Sequence, residues 1–226
     1  MARVQSKGNC IFCREEFSKN QMTRHLQTCK QRETKAGAGK GRKPKQGRLF
    51  HLVVEGRDLP GYWLHLEIPA EAALYDLDQF LRETWLECCG HLSAFEIEGE
   101  RYYVQGGLEV GDRDMKVKLS QVLRPGLQFF HEYDFGTTTH LALKVVSERQ
   151  GEIGKEWVNL LAMNNPPNIS CEKCGKPATQ VCVACGEGWL CEVCVPAHEC
   201  EEDMFLPVVN SPRVGQCGYT GTGRED

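Results

Sequence analysis

Residues 71–90 read EAALYDLDQFLRETWLECCG and contain the clearest helical pattern in the chain. Large apolar side chains recur along this segment three or four positions apart, at Leu74, Leu77, Leu81, Trp85 and Cys88. Because residues at that spacing lie on one face of an α-helix, the segment predicts one long helix with a single buried face. Gly90 is typical of the position just after a helix and predicts where this one ends.

The segments on either side of this helix have the composition of β-strands. They are LFHLVVEG (49–56), GYWLHLEIP (61–69), FEIEGERYYV (95–104), LQFFHEYDFG (127–136) and THLALKVV (139–146). The third predicts a hairpin around Glu98-Gly99-Glu100, and LSQVL (119–123) predicts a second, short helix. Strands that outnumber helices in this way predict an α+β fold with a central, mainly antiparallel sheet, and residues 49–150 are long enough for one core.

The charge of the chain is strongly divided. The 226 residues have a net charge of -4, but residues 1–48 hold 13 Lys and Arg against 3 Asp and Glu, and the rest hold 14 against 28. Residues 31–48 are rich in Lys, Arg and Gly and have no apolar side chain that could fill a core. Such a segment cannot offset the entropy lost on ordering, so it predicts a flexible basic linker.

The 13 cysteines and the lack of long apolar runs bear on location. No stretch of about 18 apolar residues is present, which predicts no membrane span. The first residues, MARVQSKGNC, are not followed by the apolar stretch of a secretory signal. We therefore expect a cytoplasmic protein, where cysteines at this density serve first as metal ligands rather than as disulfides.

The N-terminal cysteines have the spacing of a zinc finger over residues 1–30. The four candidate ligands are Cys10, Cys13, His25 and Cys29. His25 and Cys29 are four residues apart, so on a helix both reach one tetrahedral ion together with the Cys pair. The unit resembles the C2H2 finger family in its C2HC variant. The resemblance implies contact of residues 1–48 with nucleic acid, with Ser18, Gln21 and Arg24 nearest the bases; the alternative is a structural or protein-docking finger.

The C-terminal region, residues 171–226, carries eight candidate ligands in four close pairs. A cross-brace arrangement assigns Cys171, Cys174, Cys191 and Cys194 to one ion, and Cys182, Cys185, His198 and Cys200 to a second. Four protein ligands leave no open position for a catalytic water, so these sites are predicted to be structural. The spacing resembles B-box fingers and AN1-type fingers, which implies a module that binds a protein partner. Cys217 is an alternative to Cys200 as ligand.

The central region resembles the plasmid ORF-3-like (pRiA4b-type) family. The resemblance covers residues 77–146 and is carried by CGHLSAFEI (89–97) and FFHEYDFGTTTHLALKVV (129–146), above all by Phe95 and Tyr133-Asp134-Phe135-Gly136. It implies an α+β fold of unknown activity. The Thr-rich segment after Gly136 departs from the acid and tryptophan of the commoner family pattern.

These observations favour a zinc-binding accessory or adaptor protein with three Zn²⁺ ions. A connector over residues 151–170 is predicted to separate the central domain from the C-terminal module. A rival interpretation is a metal-dependent nuclease or hydrolase in the central domain, which would need Asp112, Asp114 and Asp134 to converge; His91, His131, His140 and Glu132 are its further candidates. A third is an adaptor that binds proteins only. Cys88 and Cys89 remain unassigned.

Overall fold

The computed structural model describes residues 6–35, 45–104, 112–154, 157–185 and 188–221. It contains a ten-stranded sheet with helices on its faces and a separate three-stranded sheet near the C-terminus. Within the large sheet the strand pairs are antiparallel except for one short parallel pair, in which Tyr102 lies opposite Arg113. The predicted α+β class with a mainly antiparallel sheet is therefore confirmed.

The strands of the large sheet are β1 Lys7–Cys10, β2 Glu16–Ser18, β3 Lys45–Gly56, β4 Trp63–Pro69, β5 Ser93–Ile97, β6 Glu100–Tyr103, β7 Arg113–Asp114, β8 Gln128–Tyr133, β9 Thr139–Ile153 and β10 Asn159–Asn164. They lie in the order β2-β1-β10-β4-β3-β9-β8-β5-β6-β7. The helices are α1 Lys19–Thr28, α2 Lys30–Lys35, α3 Leu74–Leu81 and α4 Leu119–Val122.

One face of the large sheet is covered by the helix that the sequence predicts. Phe50, Leu52 and Val54 of β3 point into the same core as Leu77 and Leu81 of α3. Burying such side chains is worth roughly 1.5–3 kcal/mol each, which makes this core the main source of stability. The alternation of β3 leaves His51, Val53 and Glu55 on the opposite face.

The long helix differs from the prediction at its end. The α-helical part stops at Leu81, and a π-helical turn, Arg82–Leu86, follows it. This wider turn keeps Trp85 and Leu86 buried. Cys88 lies beyond the helix, and Gly90 follows at φ +76°, a conformation that favours glycine. The chain thus turns sharply after the helix and places Cys88 and Cys89 at the surface of the core.

The N-terminal segment is part of the large sheet. β1 pairs with β10, with Gly8 opposite Asn164, and β2 pairs with β1. A Cβ atom on Gly8 would lie 2.1 Å from the carbonyl oxygen of Met163, so the pairing requires glycine there. Helix α1 lies over this end of the sheet, where Met22 and Leu26 pack with Trp63.

Two segments predicted to be connections, 31–48 and 151–170, contain helix or strand residues. The predicted linker 31–48 runs from within α2 into β3, and its middle, residues 36–44, lies outside the described residues. The predicted connector 151–170 contains the end of β9 and all of β10, which lies between β1 and β4 in the sheet. The described helices include none that is long and apolar enough to span a membrane.

The C-terminal module has its own small sheet of three strands, β11 Gln180–Cys182, β12 Trp189–Leu190 and β13 Phe205–Pro207. Strand β11 lies between the other two. The apolar cluster inside the module consists of Leu190 and the cysteines Cys171 and Cys191, with Val195 and Phe205 packed against it. Val181 of β11 also belongs to the core of the large sheet, and Trp189 and Leu206 pack against that core. The cluster inside the module is too small to hold thirty residues together without these contacts or another source of stability.

Candidate metal centres

All thirteen cysteines of the chain lie in four groups, each of which contains four possible metal ligands. Within each group the ligand atoms lie within 4.8 Å of one another. Three groups contain one histidine and three cysteines, and one contains four cysteines. Sulfur and imidazole donors in fours are the set that tetrahedral zinc prefers in structural sites. The donor chemistry therefore fits zinc in all four groups.

The N-terminal group unites the four residues expected from the sequence, Cys10, Cys13, His25 and Cys29. Cys10 ends β1, and Cys13 follows in a turn where Arg14 has φ +65°. His25 lies on α1 with its Nε2 atom 3.2 Å from Cys13 Sγ, and its ring stacks on Phe17. Cys10 and Cys29 are buried, because α1 packs on the sheet above them.

Helix α1 begins with a capping box formed by Ser18 and Gln21. Ser18 is the cap residue, and the Gln21 side chain accepts a hydrogen bond from the Ser18 backbone N–H at 3.1 Å. A capping box of this kind satisfies the first backbone N–H groups of the helix and fixes the direction in which the helix starts. Of the three side chains considered for base contact, Gln21 and Arg24 are exposed and Ser18 is half-buried.

The C-terminal module brings its eight candidate ligands together in two groups, divided as the cross-brace pairing divides them. In one, Cys174 Sγ lies 3.5 Å from Cys191 Sγ. In the other, Cys185 Sγ lies 3.2 Å from His198 Nε2. Cys200 belongs to this second group, and Cys217, the alternative ligand, lies elsewhere.

Backbone amides favour the charged form of one thiol in each of these two groups. Burial acts against ionisation of Cys171, but the backbone N–H groups of Cys191 and Cys174 outweigh it and lower the pKa of Cys171 to about 6. Burial likewise opposes ionisation of Cys182, whereas the N–H groups of Cys185 and Ala184 lower the pKa of its thiol to about 6. Both thiols are thus prepared to bind a cation as thiolates.

The fourth group was not predicted. It joins Cys88, Cys89 and His91, which follow the π-helical turn, to Cys217 near the end of the chain. The sequence did contain a clue, because assigning twelve ligands leaves three cysteines, and a histidine lies two residues from one of them. Cys217 is exposed. The sequence-based count of three ions falls one short of the four groups.

The titratable residues of the central domain form structural networks. His131 is fully buried and lies 2.7 Å from Asp78 Oδ1, and Arg82 donates to Asp78 Oδ2 at 2.8 Å. Burial opposes ionisation of Asp78, but the hydrogen bond and charge of His131 and the charge of Arg82 outweigh it and hold its pKa below the usual value. These groups anchor α3 to β8 inside the core.

The carboxylates needed for a metal-dependent nuclease are not assembled. Within the described ranges, neither Asp112 nor Asp114 joins Asp134 in a group that could hold an ion. Asp134 instead accepts hydrogen bonds from Arg213 at 2.8 Å and from Thr137 at 2.7 Å. Burial opposes its ionisation, but these bonds outweigh burial and hold the pKa of Asp134 well below its usual range.

A groove of about 560 Å³ lies between α1 and the second face of the sheet. Its cationic lining residues are Lys19, Arg24 and Lys144, and Lys19 pairs with Glu55. The ring of Phe130 lines the same groove, with the Arg57 guanidinium 5.0 Å from its centre. The groove therefore combines positive charge with an accessible aromatic ring.

Comparison with known proteins assigns no function. No family model matches the chain, and no curated protein matches it. Among solved structures it is similar to the crystal structure of a protein of unknown function, MM3350 from Methanosarcina mazei Go1. The two share 18% sequence identity with a TM-score of 0.48, over 54% of this chain and 72% of that chain.

Proposed function

We propose that this chain is a zinc-stabilised accessory protein that binds nucleic acid beside its N-terminal finger. The observation that carries the proposal is the groove along α1, where Arg24 and Lys144 lie near Phe130. Cationic side chains neutralise phosphates, and an aromatic ring stacks on an unpaired base. The combination favours single-stranded RNA or DNA over duplex, because a base inside a duplex cannot reach the ring.

The division of charge supports the same surface. The basic segment 36–44, AGAGKGRKP, joins the finger to the start of β3 at Lys45, eight residues before Val53, which lines the groove. The acidic residues are concentrated in the rest of the chain. A polyanion is therefore drawn to the finger side, and its binding weakens steeply as salt screens and competes with the phosphates.

Zinc has a structural part in this function. In the N-terminal group Cys10 and Cys13 lie at the end of β1 and His25 and Cys29 on or next to α1, so a bound ion would hold the helix against the sheet edge. The ion supplies folding free energy, of the order of 10–16 kcal/mol in isolated finger peptides. The groove itself is formed by side chains of this chain alone.

The test uses purified full-length chain with fluorescent single-stranded and duplex oligonucleotides at several salt concentrations. Removing one cation that neutralises a phosphate reduces the slope of log affinity against log salt by about 0.7 for a single strand, so Arg24→Ala with Lys144→Ala should reduce it by about 1.4. The matched control, Arg113→Ala with Lys116→Ala, removes the same charge at the far edge of the sheet. Equal binding by the groove variant and wild type would refute the proposal.

Phe130→Leu separates stacking from charge. The substitution keeps an apolar side chain on β8 but removes the ring, and we expect roughly a 5- to 160-fold loss of affinity for a single strand, equivalent to about 1–3 kcal/mol per base. Duplex affinity should not change. Deletion of residues 1–48 is unsuitable as a test, since it would remove β1 and part of β3.

A second proposed role, docking of a protein partner, rests on the C-terminal module. Val193 lies between two ligands and is 73% exposed, and Val183 is 46% exposed beside Cys182. Exposed apolar side chains on two turns that carry metal ligands are suited to contact a shallow apolar surface of another protein. Replacing both valines with serine should abolish co-purification of a defined partner without changing the zinc content; retention of the partner would exclude this surface.

We also propose that residues 77–146 belong to the plasmid ORF-3-like family. In support of this, residues that carry the resemblance have structural roles in the fold. The ring of Tyr133 stacks with Arg82 and Arg213, and Asp134 pairs with Arg213. A solved structure of a plasmid-encoded family member tests the assignment. A different strand order around the equivalent tyrosine would refute it.

A further inference from the structure

The cluster of Cys88, Cys89, His91 and Cys217 has the dimensions of the other ligand groups. Its Cys88 and Cys89 sulfurs are 3.4 Å apart, and Cys89 and Cys217 sulfurs 3.8 Å apart. His91 Nε2 lies 3.2 Å from Cys217 Sγ. The corresponding separations in the other groups include 3.5 Å between sulfurs and 3.2 Å between sulfur and Nε2. In tetrahedral zinc sites these edges are about 3.8 and about 3.5 Å.

The tail that carries Cys217 is firmly held against the central domain. Ser211 Oγ donates to the carbonyl oxygen of Trp85 at 2.6 Å, and Arg213 is fully buried. Tyr219, two residues past the cysteine, is buried as well. Cys217 itself has φ +46°, a left-handed conformation that costs a non-glycine residue free energy. The backbone is therefore bent to present this thiol to the cluster.

Arg213 links the cluster to Asp134 of the central domain. Its Nη2 atom lies 3.3 Å from Cys88 Sγ and 2.8 Å from Asp134 Oδ2. Three thiolates and one neutral imidazole around a divalent ion have a net charge of about -1. The buried guanidinium that contacts one sulfur carries the opposite charge, and it is paired with the Asp134 carboxylate as well.

We propose that Cys88, Cys89, His91 and Cys217 form a fourth zinc site, and that the ion fastens the C-terminal tail, residues 208–221, to the central domain. The ligands Cys89 and Cys217 are 128 positions apart, so the site closes a loop that includes the whole C-terminal module. This inference rests on zinc as the metal of the proposed function but not on nucleic-acid binding.

The first experiment counts metal in full-length protein purified without chelator, by native mass spectrometry and elemental analysis. We expect four zinc ions per chain in wild type and three in Cys217→Ser and in Cys89→Ser. The matched control is Gln216→Ser, which introduces the same serine at the adjacent position and should retain four. Hydrogen exchange in residues 208–221 should be faster in Cys217→Ser, with the N-terminal finger unchanged.

The second experiment needs no variant and so does not depend on whether the serine variants fold. Native wild type is treated with iodoacetamide before and after addition of a strong chelator, and each cysteine is read by mass spectrometry. Zinc should protect Cys89 and Cys217, although both are exposed. Either of two results would overturn the fourth site alone. One is three ions per chain with both thiols alkylated before chelator is added, and the other is a Cys89–Cys217 disulfide. Absence of zinc from all four groups would refute zinc in the proposed function too.

Discussion

The N-terminal finger and the C-terminal module use the same ligand chemistry in opposite structural settings. In the finger, Met22 and Leu26 share a buried cluster with Trp63 and Leu161 of the large sheet. In the module, the internal buried cluster is Leu190 with two of the ligand cysteines themselves, although Val181 packs into the core of the large sheet. The finger is therefore packed by more apolar side chains than the interior of the module, and we expect the module to depend more strongly on bound metal for its stability. Similar ligand spacing thus does not imply similar dependence on the ion.

Removal of metal should produce the largest difference between the two regions. After chelation of the full-length protein, residues 171–207 should lose essentially all protection from hydrogen exchange, because some 10–16 kcal/mol of metal-linked folding free energy is lost per site. Helix α1 should keep part of its protection, and the strands β3 and β9 nearly all. Exchange followed by mass spectrometry, with zinc added back as the control, measures this. A module that stays protected without metal would contradict the comparison.

Glu67→Gln should weaken the ion pair by which Arg32, just after the finger, is held to the large sheet. Glu67 is buried and accepts hydrogen bonds from Arg32 at 2.6 Å and from Arg149 at 2.7 Å. Loss of one partner from a buried ion pair leaves an uncompensated charge and costs about 3–5 kcal/mol. Urea unfolding of the variant should show this loss. Glu148→Gln removes a pair at the surface and should change stability by less than about 1 kcal/mol.

Leu26→Ala should destabilise the finger through packing alone. Leu26 is 1% exposed between α1 and the large sheet, and truncation of such a leucine costs about 2–5 kcal/mol. We expect faster exchange in α1 and a weaker N-terminal metal site in a competition assay. Gln27→Ala, on the exposed side of the same helix, is the control. If Leu26→Ala leaves α1 as protected as in wild type, the finger does not depend on its docking.

Acid should weaken the sheet beneath the finger, by up to about 2.5 kcal/mol for two histidines together between pH 7.0 and 5.5. Burial lowers the pKa of His51 to about 4 and that of His65 to about 3. Both stay neutral in the folded protein at pH values where the unfolded chain, with a pKa near 6.5, takes up protons. The free energy of unfolding should therefore fall as pH is lowered from about 6.5 to about 4, by up to about 1.4 kcal/mol per histidine and pH unit.

The measurement compares urea unfolding at pH 7.0 and 5.5 in wild type and in His51→Gln with His65→Gln. The double variant should lose less stability than wild type over this interval, which separates the histidines from acid release of metal. His140→Gln, at a partly exposed position, should behave as wild type. Equal pH dependence of wild type and double variant would show that the pair is not responsible.

The sequence by itself determined the features that depend on residues close together in the chain. Ligand spacing grouped Cys171 to Cys200 into the two sets that the structure brings together, because a CxxC turn presents two thiols whatever surrounds it. Alternation and helical spacing predicted the α+β class, since the faces of strands and helices depend on near neighbours. The hairpin at Glu98-Gly99 is confirmed for the same reason.

Only the tertiary structure decided the contacts between distant segments. The strand KGNC at residues 7–10 has no local strand pattern and is extended because β10 offers it a free edge. Cys217 reaches Cys89 across 128 positions because the buried Arg213 fixes the tail to Asp134. Spacing along the chain cannot encode such a contact, since it depends on how the whole segment between the two cysteines folds. The fourth ligand group therefore exists only once the core has formed.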